Sequence, residues 1–203
     1  MKHRTLSAGP LAAMLHAAIL LIPGTAEAAQ QAPAADPSKT TFGEISPAAP
    51  AQLKTFSFLI GQWEGTGKSR RDDGTYAEYP IKWIGRYILD GTAIADEAHG
   101  PGPDGAQYLG ISFRQYDATR RTWIIEFLNV NGSFLRRQVR QGNGAVTVSG
   151  RNVTVESESP GMKIREHYLV PDPAQFSYRL DLSTDGGRTW TERQVEMHLR
   201  RVE

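Results

Sequence analysis

The chain has 203 residues, carries 23 Lys plus Arg against 22 Asp plus Glu, and contains no cysteine. This near-zero charge balance argues against a nucleic-acid binder or a membrane-surface protein, because both need an excess of basic residues. The lack of cysteine excludes disulfides, cysteine-based zinc or iron–sulfur sites and thiol nucleophiles. The length suits one medium-sized domain.

The first segment, residues 1–28, has the pattern of a secretory signal peptide. Lys2 and Arg4 give it a positive start, residues 11–22 are apolar apart from one histidine, and Ala26-Glu27-Ala28 fits a small-x-small cleavage site. The apolar run is shorter than the roughly 20 residues that span a bilayer. We therefore expect a secreted protein, periplasmic or extracellular after cleavage near Ala28, without a stable membrane anchor.

The next segment, residues 29–50, is rich in Ala, Pro and Gln and has no apolar period, which predicts a flexible leader. The folded domain is expected over residues 51–203. It opens with a stretch that predicts a short helix, in which Leu53, Phe56 and Ile60 share one face.

Beyond residue 60, short runs of β-branched and aromatic residues alternate with turn dipeptides. Asp73-Gly74, Asn131-Gly132 and Asp185-Gly186 are typical of tight hairpins. About ten hairpin-linked strands predict an all-β fold, an antiparallel up-and-down barrel that leaves no sheet edge exposed. A two-sheet sandwich is the alternative, and a parallel sheet is disfavoured because crossover helices are missing.

The last hairpin contains a recognisable motif, since residues 183–190 match the Asp-box pattern S-x-D-x-G-x-T-W. In this hairpin motif the Asp185 side chain caps the turn and the Trp190 ring packs beneath the turn. Propellers that act on glycans carry several copies, whereas this chain carries one and is too short for a propeller. The motif therefore favours a structural hairpin over glycan handling.

The start of the domain carries a resemblance to a known family. Gly61-Gln-Trp63 and Trp63-Glu-Gly65-Thr-Gly67 resemble the opening strand of calycin-type barrels, in which lipocalins carry G-x-W and nitrobindin-like barrels carry W-x-G-x-G. Further stretches, Leu89–Gly91 with Asp96-Glu97 and Phe113–Trp123, are similar to a family of uncharacterised lipocalin-like bacterial proteins. The resemblance covers roughly residues 53–202 and implies a barrel but no established activity. The residues agree with it on physical grounds, because Trp63 on the first strand can plug the closed end and Arg200 or Arg201 of the last strand can stack on that indole.

Strands of such a barrel supply the candidate site. Adjacent carboxylates on a strand point to opposite faces, so Asp96 and Glu97 cannot form one acid–base pair. Whichever points inward should be ion-paired, with Arg114, Arg136, Arg165 or His167 as partner, or should have a raised pKa. That carboxylate could be a structural ion pair, a ligand anchor or a catalytic group. The expected barrel lining is Trp83, Tyr87, Asp96, Glu97, Tyr108, Arg114, Trp123, Arg165 and His167.

The histidines of the domain, His99, His167 and His198, have no metal-ligand spacing, so no metal site is expected. His198 lies on the last strand, where nitrobindin-like barrels bind haem iron. The resemblance therefore implies haem as an alternative cofactor, and otherwise no cofactor is expected. Because Val195, Met197 and Leu199 alternate with His198, the imidazole would face solvent if the apolar set faces the core.

The leading hypothesis for function is a secreted barrel that binds a small apolar or amphipathic molecule, since closed barrels of this size hold one small ligand. The alternatives are a small-molecule enzyme, with Asp96 or Glu97 and His167 converging in the interior, and a haem protein. The sequence assigns no catalytic residue, and fold alone does not decide between binding and catalysis.

Overall fold

The computed structural model of the protein describes residues 43–101, 107–131, 134–136, 143–159 and 161–202. The expected signal peptide and most of the expected leader lie outside these residues. The described elements are the 3₁₀ helix Ala51–Leu59, β1 Gly61–Arg70, β2 Tyr76–Ile88, β3 Ala93–Pro101, β4 Gln107–Asp117, β5 Thr122–Asn131, β6 Phe134–Arg136, β7 Asn143–Ser149, β8 Asn152–Ser159, β9 Met162–Asp172, β10 Gln175–Ser183 and β11 Thr191–Arg201.

The strands form one antiparallel sheet that curls into a nearly closed barrel. Neighbours along the chain pair from β1 to β5 and from β7 to β11. Pairing of β1 with β11 and of β5 with β7 completes the ring of ten strands. The three-residue β6 lies on the same edge of β5 as β7, further along the strand. The predicted up-and-down barrel is therefore confirmed, and the sandwich alternative is wrong.

Alternation along each strand separates an inner face from an outer face. In β2 the buried Tyr79, Ile81 and Trp83 alternate with exposed side chains, as expected for a strand with one face on the core. In β11 the buried Met197 and Leu199 flank the exposed His198. The inner faces together form one aromatic-rich hydrophobic core, so the stability of this cysteine-free domain comes from strand pairing and that core.

The 3₁₀ helix closes one end of the barrel, where it contributes fully buried Leu53, Phe56 and Leu59 to the core. The sequence pattern predicts Ile60 rather than Leu59 on the buried face. The difference follows from the helix type, because a 3₁₀ helix has three residues per turn and brings every third side chain to one face. The Trp63 indole N–H donates a hydrogen bond of 3.1 Å to the Leu59 carbonyl and so ties the helix to β1.

The packed domain also extends before Ala51, where the sequence analysis placed its start. The backbone N–H of Ser46 donates to the Gly91 carbonyl at 3.0 Å, and Ile45 and Ala49 pack against the core. Contacts with the barrel therefore begin at least as early as Ile45. In the described part of the chain, no helix is long and apolar enough to cross a membrane.

Candidate functional site

A buried ion pair lies inside the barrel above the helix. Asp96 of β3 and Arg114 of β4 face the interior, are 2% and 1% exposed, and form a salt bridge with each other. The Arg114 guanidinium also donates to the Tyr168 hydroxyl at 3.0 Å and lies 5.3 Å above the Phe56 ring. The pair therefore connects the helix to the opposite wall of the barrel.

A second buried carboxylate lies on β9. Glu166 is 6% exposed and accepts a hydrogen bond of 2.9 Å from the Tyr178 hydroxyl. The Tyr178 ring packs against Tyr168, with 5.2 Å between the ring centroids. These tyrosines place Glu166 in the same interior region as the Asp96–Arg114 ion pair.

The interior contains further polar groups that face away from solvent. Tyr79 shares a hydrogen bond of 2.9 Å with Ser69, and burial raises the pKa of the Tyr79 phenol although that hydrogen bond opposes the shift. Burial likewise raises the pKa of Tyr87. The Trp83 indole N–H and the Ser157 hydroxyl are buried and have no hydrogen-bond partner among the described residues. Buried donors of this kind are uncommon in native proteins.

Most of the predicted lining residues lie where the sequence analysis expected them. The structure places Trp83, Asp96, Arg114 and Trp123 in the interior, and Tyr87 packs against the core. Of the candidate partners for Asp96, Arg114 is the one that forms a salt bridge with it. Tyr108 lies on β4, but its side chain is outside the described residues, and so is that of Arg136, another candidate partner.

Three predicted lining residues, Glu97, Arg165 and His167, lie instead on the outer face. Each is a direct chain neighbour of an inward side chain, Asp96 or Glu166, and alternation turns it to the opposite face. On that face Glu97 forms an ion pair with Arg86 and contacts the His99 imidazole, Arg165 pairs with Glu156 at 2.7 Å, and His167 contacts the Asp181 carboxylate at 3.0 Å. The prediction that these three residues line the interior is therefore wrong.

None of the described histidine side chains lies in the barrel interior. His99 contacts Glu97, His167 contacts Asp181, and His198 hydrogen-bonds to the Ser177 hydroxyl at 3.0 Å, all on the outer face. Asp96 and His167 consequently do not converge as an acid–base pair, and His198 does not fit an axial haem ligand. Among the described residues, no cluster of three or more His, Asp or Glu side chains is arranged to hold a metal ion.

Glu166, Tyr168 and Tyr178 are interior residues that the sequence analysis missed. The signal was present in the alternation of β9, because Ile164 and Tyr168 are apolar positions two residues before and after Glu166. That spacing puts Glu166 on the same face as both. Its charged neighbours Arg165 and His167, which were predicted to line the interior, lie on the opposite face of the strand.

The residues Gly61 and Trp63 of the G-x-W motif and Asp185 and Trp190 of the Asp box, all expected to have structural roles, lie at the two ends of the barrel. Gly61 has a φ of 121° and starts β1 directly after the helix. Trp63 is buried at the helix end, and the Arg201 guanidinium stacks on its ring at 4.1 Å.

At the other end, the Asp185 carboxylate caps the β10–β11 hairpin. It accepts hydrogen bonds from the hydroxyl and the backbone N–H of Thr189 and from the Ser183 hydroxyl, which hold its pKa well below the usual range. Trp190 follows this turn and is covered by the Arg165 guanidinium, 4.1 Å from the ring centroid.

Comparisons with known proteins support the fold. No protein-family model and no curated protein matches the sequence. The structure is similar to the crystal structure of Rv2717c from M. tuberculosis, with a TM-score of 0.51 and 16% identity over 76% of this chain and 99% of that chain. EF1p2_mFAP2b bound to DFHBI matches with a TM-score of 0.35 and 14% identity over 74% of this chain and 97% of that chain. The redesigned beta barrel b11L5F_LGL also has a TM-score of 0.35, with 13% identity over 77% of this chain and 100% of that chain. The likeness to Rv2717c shows the fold alone, and the chain has a calycin-like barrel fold.

Proposed function

We propose that this protein binds one small amphipathic molecule inside its barrel. The observation that carries the proposal is the group of buried polar side chains above the helix, namely Asp96, Arg114, Glu166, Tyr168 and Tyr178. This group would receive the polar part of the ligand. From the secretory signal pattern we propose that this binding takes place outside the cytoplasm.

The energetic cost of this group supports a role beyond stability. Taking a carboxylate and a guanidinium out of water is costly, and replacing such a pair by apolar residues of similar volume is often neutral or stabilising. A barrel that only needed to fold could fill these positions with the aliphatic and aromatic side chains used elsewhere in its core. Departures from good packing rules are typical of functional sites.

The surroundings of the polar group favour a ligand with an apolar part as well. Trp83, Tyr178 and Met197 form an apolar wall in the interior, with the rings of Trp83 and Tyr178 6.2 Å apart. Two buried donors that have no partner in the described part of the chain, those of Trp83 and Ser157, are on the inner face too. A ligand that carries both apolar surface and hydrogen-bond acceptors would match these walls better than water or a purely apolar molecule.

Titration with a neutral amphipathic dye, Nile red, tests the proposal. We expect saturable binding of one dye per chain, and a several-fold change in its affinity in Tyr178→Phe, which removes an interior hydroxyl. Tyr76→Phe is the matched control, because Tyr76 is exposed and lies outside the interior. Circular dichroism establishes that each variant is folded.

A second measurement concerns the natural ligand. Native mass spectrometry of protein purified from its source is expected to show a bound small molecule in addition to the mass of the chain. If no molecule co-purifies and neither Nile red nor a fatty acid binds saturably, the protein does not act as a barrel-interior binder.

A further inference from the structure

A groove on the outside of the barrel forms a second candidate site. It lies between β8–β9 and the β10–β11 hairpin and has a volume of about 520 Å³. We call it the hairpin groove, and its lining residues are Ala145, Glu156–Glu158, Lys163–Arg165, Gly186, Gly187 and Trp190. Its volume falls in the range of small-molecule sites.

The Asp-box hairpin holds one wall of the hairpin groove in place. The backbone N–H of Gly187 donates to the Ser183 hydroxyl at 2.8 Å, next to the hydrogen bonds that Asp185 accepts. The Lys163 side chain runs close to this turn, since a Cβ added to Gly187 would lie 3.2 Å from the Lys163 Cδ atom. The wall is therefore pre-formed, and binding there requires little ordering of loops.

The charges in the hairpin groove already neutralise one another. Lys163 forms an ion pair with Glu158 at 2.8 Å, and Arg165 forms one with Glu156 at 2.7 Å while it stacks on Trp190. A charged ligand would have to displace one of these partners. A neutral hydroxyl can instead donate to a carboxylate and accept from an ammonium or guanidinium group at the same time.

We propose that the hairpin groove binds a neutral carbohydrate of one or two sugar units. Sugar hydroxyls would bridge the paired charges of β8 and β9, and the C–H face of a sugar ring would pack against the part of the half-buried Trp190 ring that the Arg165 guanidinium leaves uncovered. Purely apolar ligands fit poorly because four of the lining side chains are charged. The four charged side chains of the lining lie on the outer face, whereas Ser157 and Ile164 of the lining are buried, so ligand binding in the barrel interior is measured separately.

Saturation-transfer NMR with a panel of neutral disaccharides, maltose, cellobiose and chitobiose, tests this inference on the purified chain. We expect saturation transfer from the protein to at least one sugar at millimolar concentration. Ala145→Gln fills the hairpin groove from an exposed position of β7, and Trp190→Ala removes the aromatic wall; each is expected to weaken binding about tenfold. Thr147→Gln is the matched control, an exposed position on the same strand that does not line the groove.

Sugar binding and Nile red binding of Ala145→Gln separate this site from the barrel interior. Ala145→Gln leaves the Asp box intact, so loss of sugar binding in this variant does not depend on the fold of the hairpin. Its Nile red binding should equal that of the unmodified chain. Absence of saturation transfer to every sugar overturns the inference. Equal transfer in Ala145→Gln and the unmodified chain also overturns it, as does binding of inorganic sulfate in place of sugars.

Discussion

The single residue that most distinguishes this barrel is Arg114, a guanidinium that is almost completely removed from water. It is tolerated because Asp96 neutralises it and the Tyr168 hydroxyl accepts one of its N–H groups. A buried charge that loses its partner has no access to water as a substitute. The two charges are therefore energetically coupled, whatever the net stability of the pair.

This coupling gives a prediction for a double-mutant cycle. Asp96→Val leaves Arg114 buried without its counter-charge and is expected to lower the free energy of unfolding by about 3–5 kcal/mol. Arg114→Met should lower the free energy of unfolding by a similar amount, because it leaves the Asp96 carboxylate buried without its counter-charge. Urea unfolding should show that the double variant loses much less free energy of unfolding than the sum of the losses in the two single variants. Additive losses would mean that the two side chains do not depend on each other.

At the scale of elements, the 3₁₀ helix does more than cap the barrel. Phe56 packs edge-on against Trp123 at 4.9 Å, and its face lies beneath the Arg114 guanidinium. The helix thus supports the floor of the buried polar group as well as the hydrophobic core. Its side chains contribute through burial, because a single short helix of this kind has little stability of its own.

Phe56→Ala tests the importance of this contact. Removing a fully buried ring is expected to cost about 3–5 kcal/mol, because the transfer free energy is lost and a cavity remains. Lys54→Ala in the same helix is the control and should stay within about 0.5 kcal/mol, because its side chain is exposed. Urea unfolding measures both. A small loss in Phe56→Ala would show that the helix is dispensable for the core.

Alternation within strands explains how far the sequence could predict the site. Turn dipeptides and apolar runs are sufficient to predict the barrel. They also predict that one carboxylate of the neighbours Asp96 and Glu97 is buried. The choice between them depends on register, since a shift of one residue exchanges the two faces of a strand. For β9 the same logic, applied to Ile164 and Tyr168, would have found Glu166. The pairing of Asp96 with Arg114 across two strands is a tertiary property that no local pattern contains.

At the scale of the whole molecule, the barrel closes where its first and last strands meet. β1 and β11 pair in continuous register from Trp63 with Arg201 to Ser69 with Val195. Within this seam the backbones approach closely at Gly65, where an added Cβ would lie only 1.8 Å from the His198 carbonyl oxygen. Glycine is required here because backbone atoms of a paired strand cannot move aside as a flexible side chain can.

Gly65→Ala is therefore expected to weaken closure of the whole barrel. The extra methyl group must push β1 away from β11, and overpacking of this kind costs about 1–3 kcal/mol or more. Urea unfolding should show a lower midpoint, and hydrogen exchange should show faster exchange of the β1 and β11 amides than of those in β3 and β4. Thr66→Ala, an exposed outer-face position in the same seam, should leave both readouts nearly unchanged. If Gly65→Ala loses protection evenly over all strands, then the seam opens only with the rest of the barrel, and closure and folding are a single cooperative step.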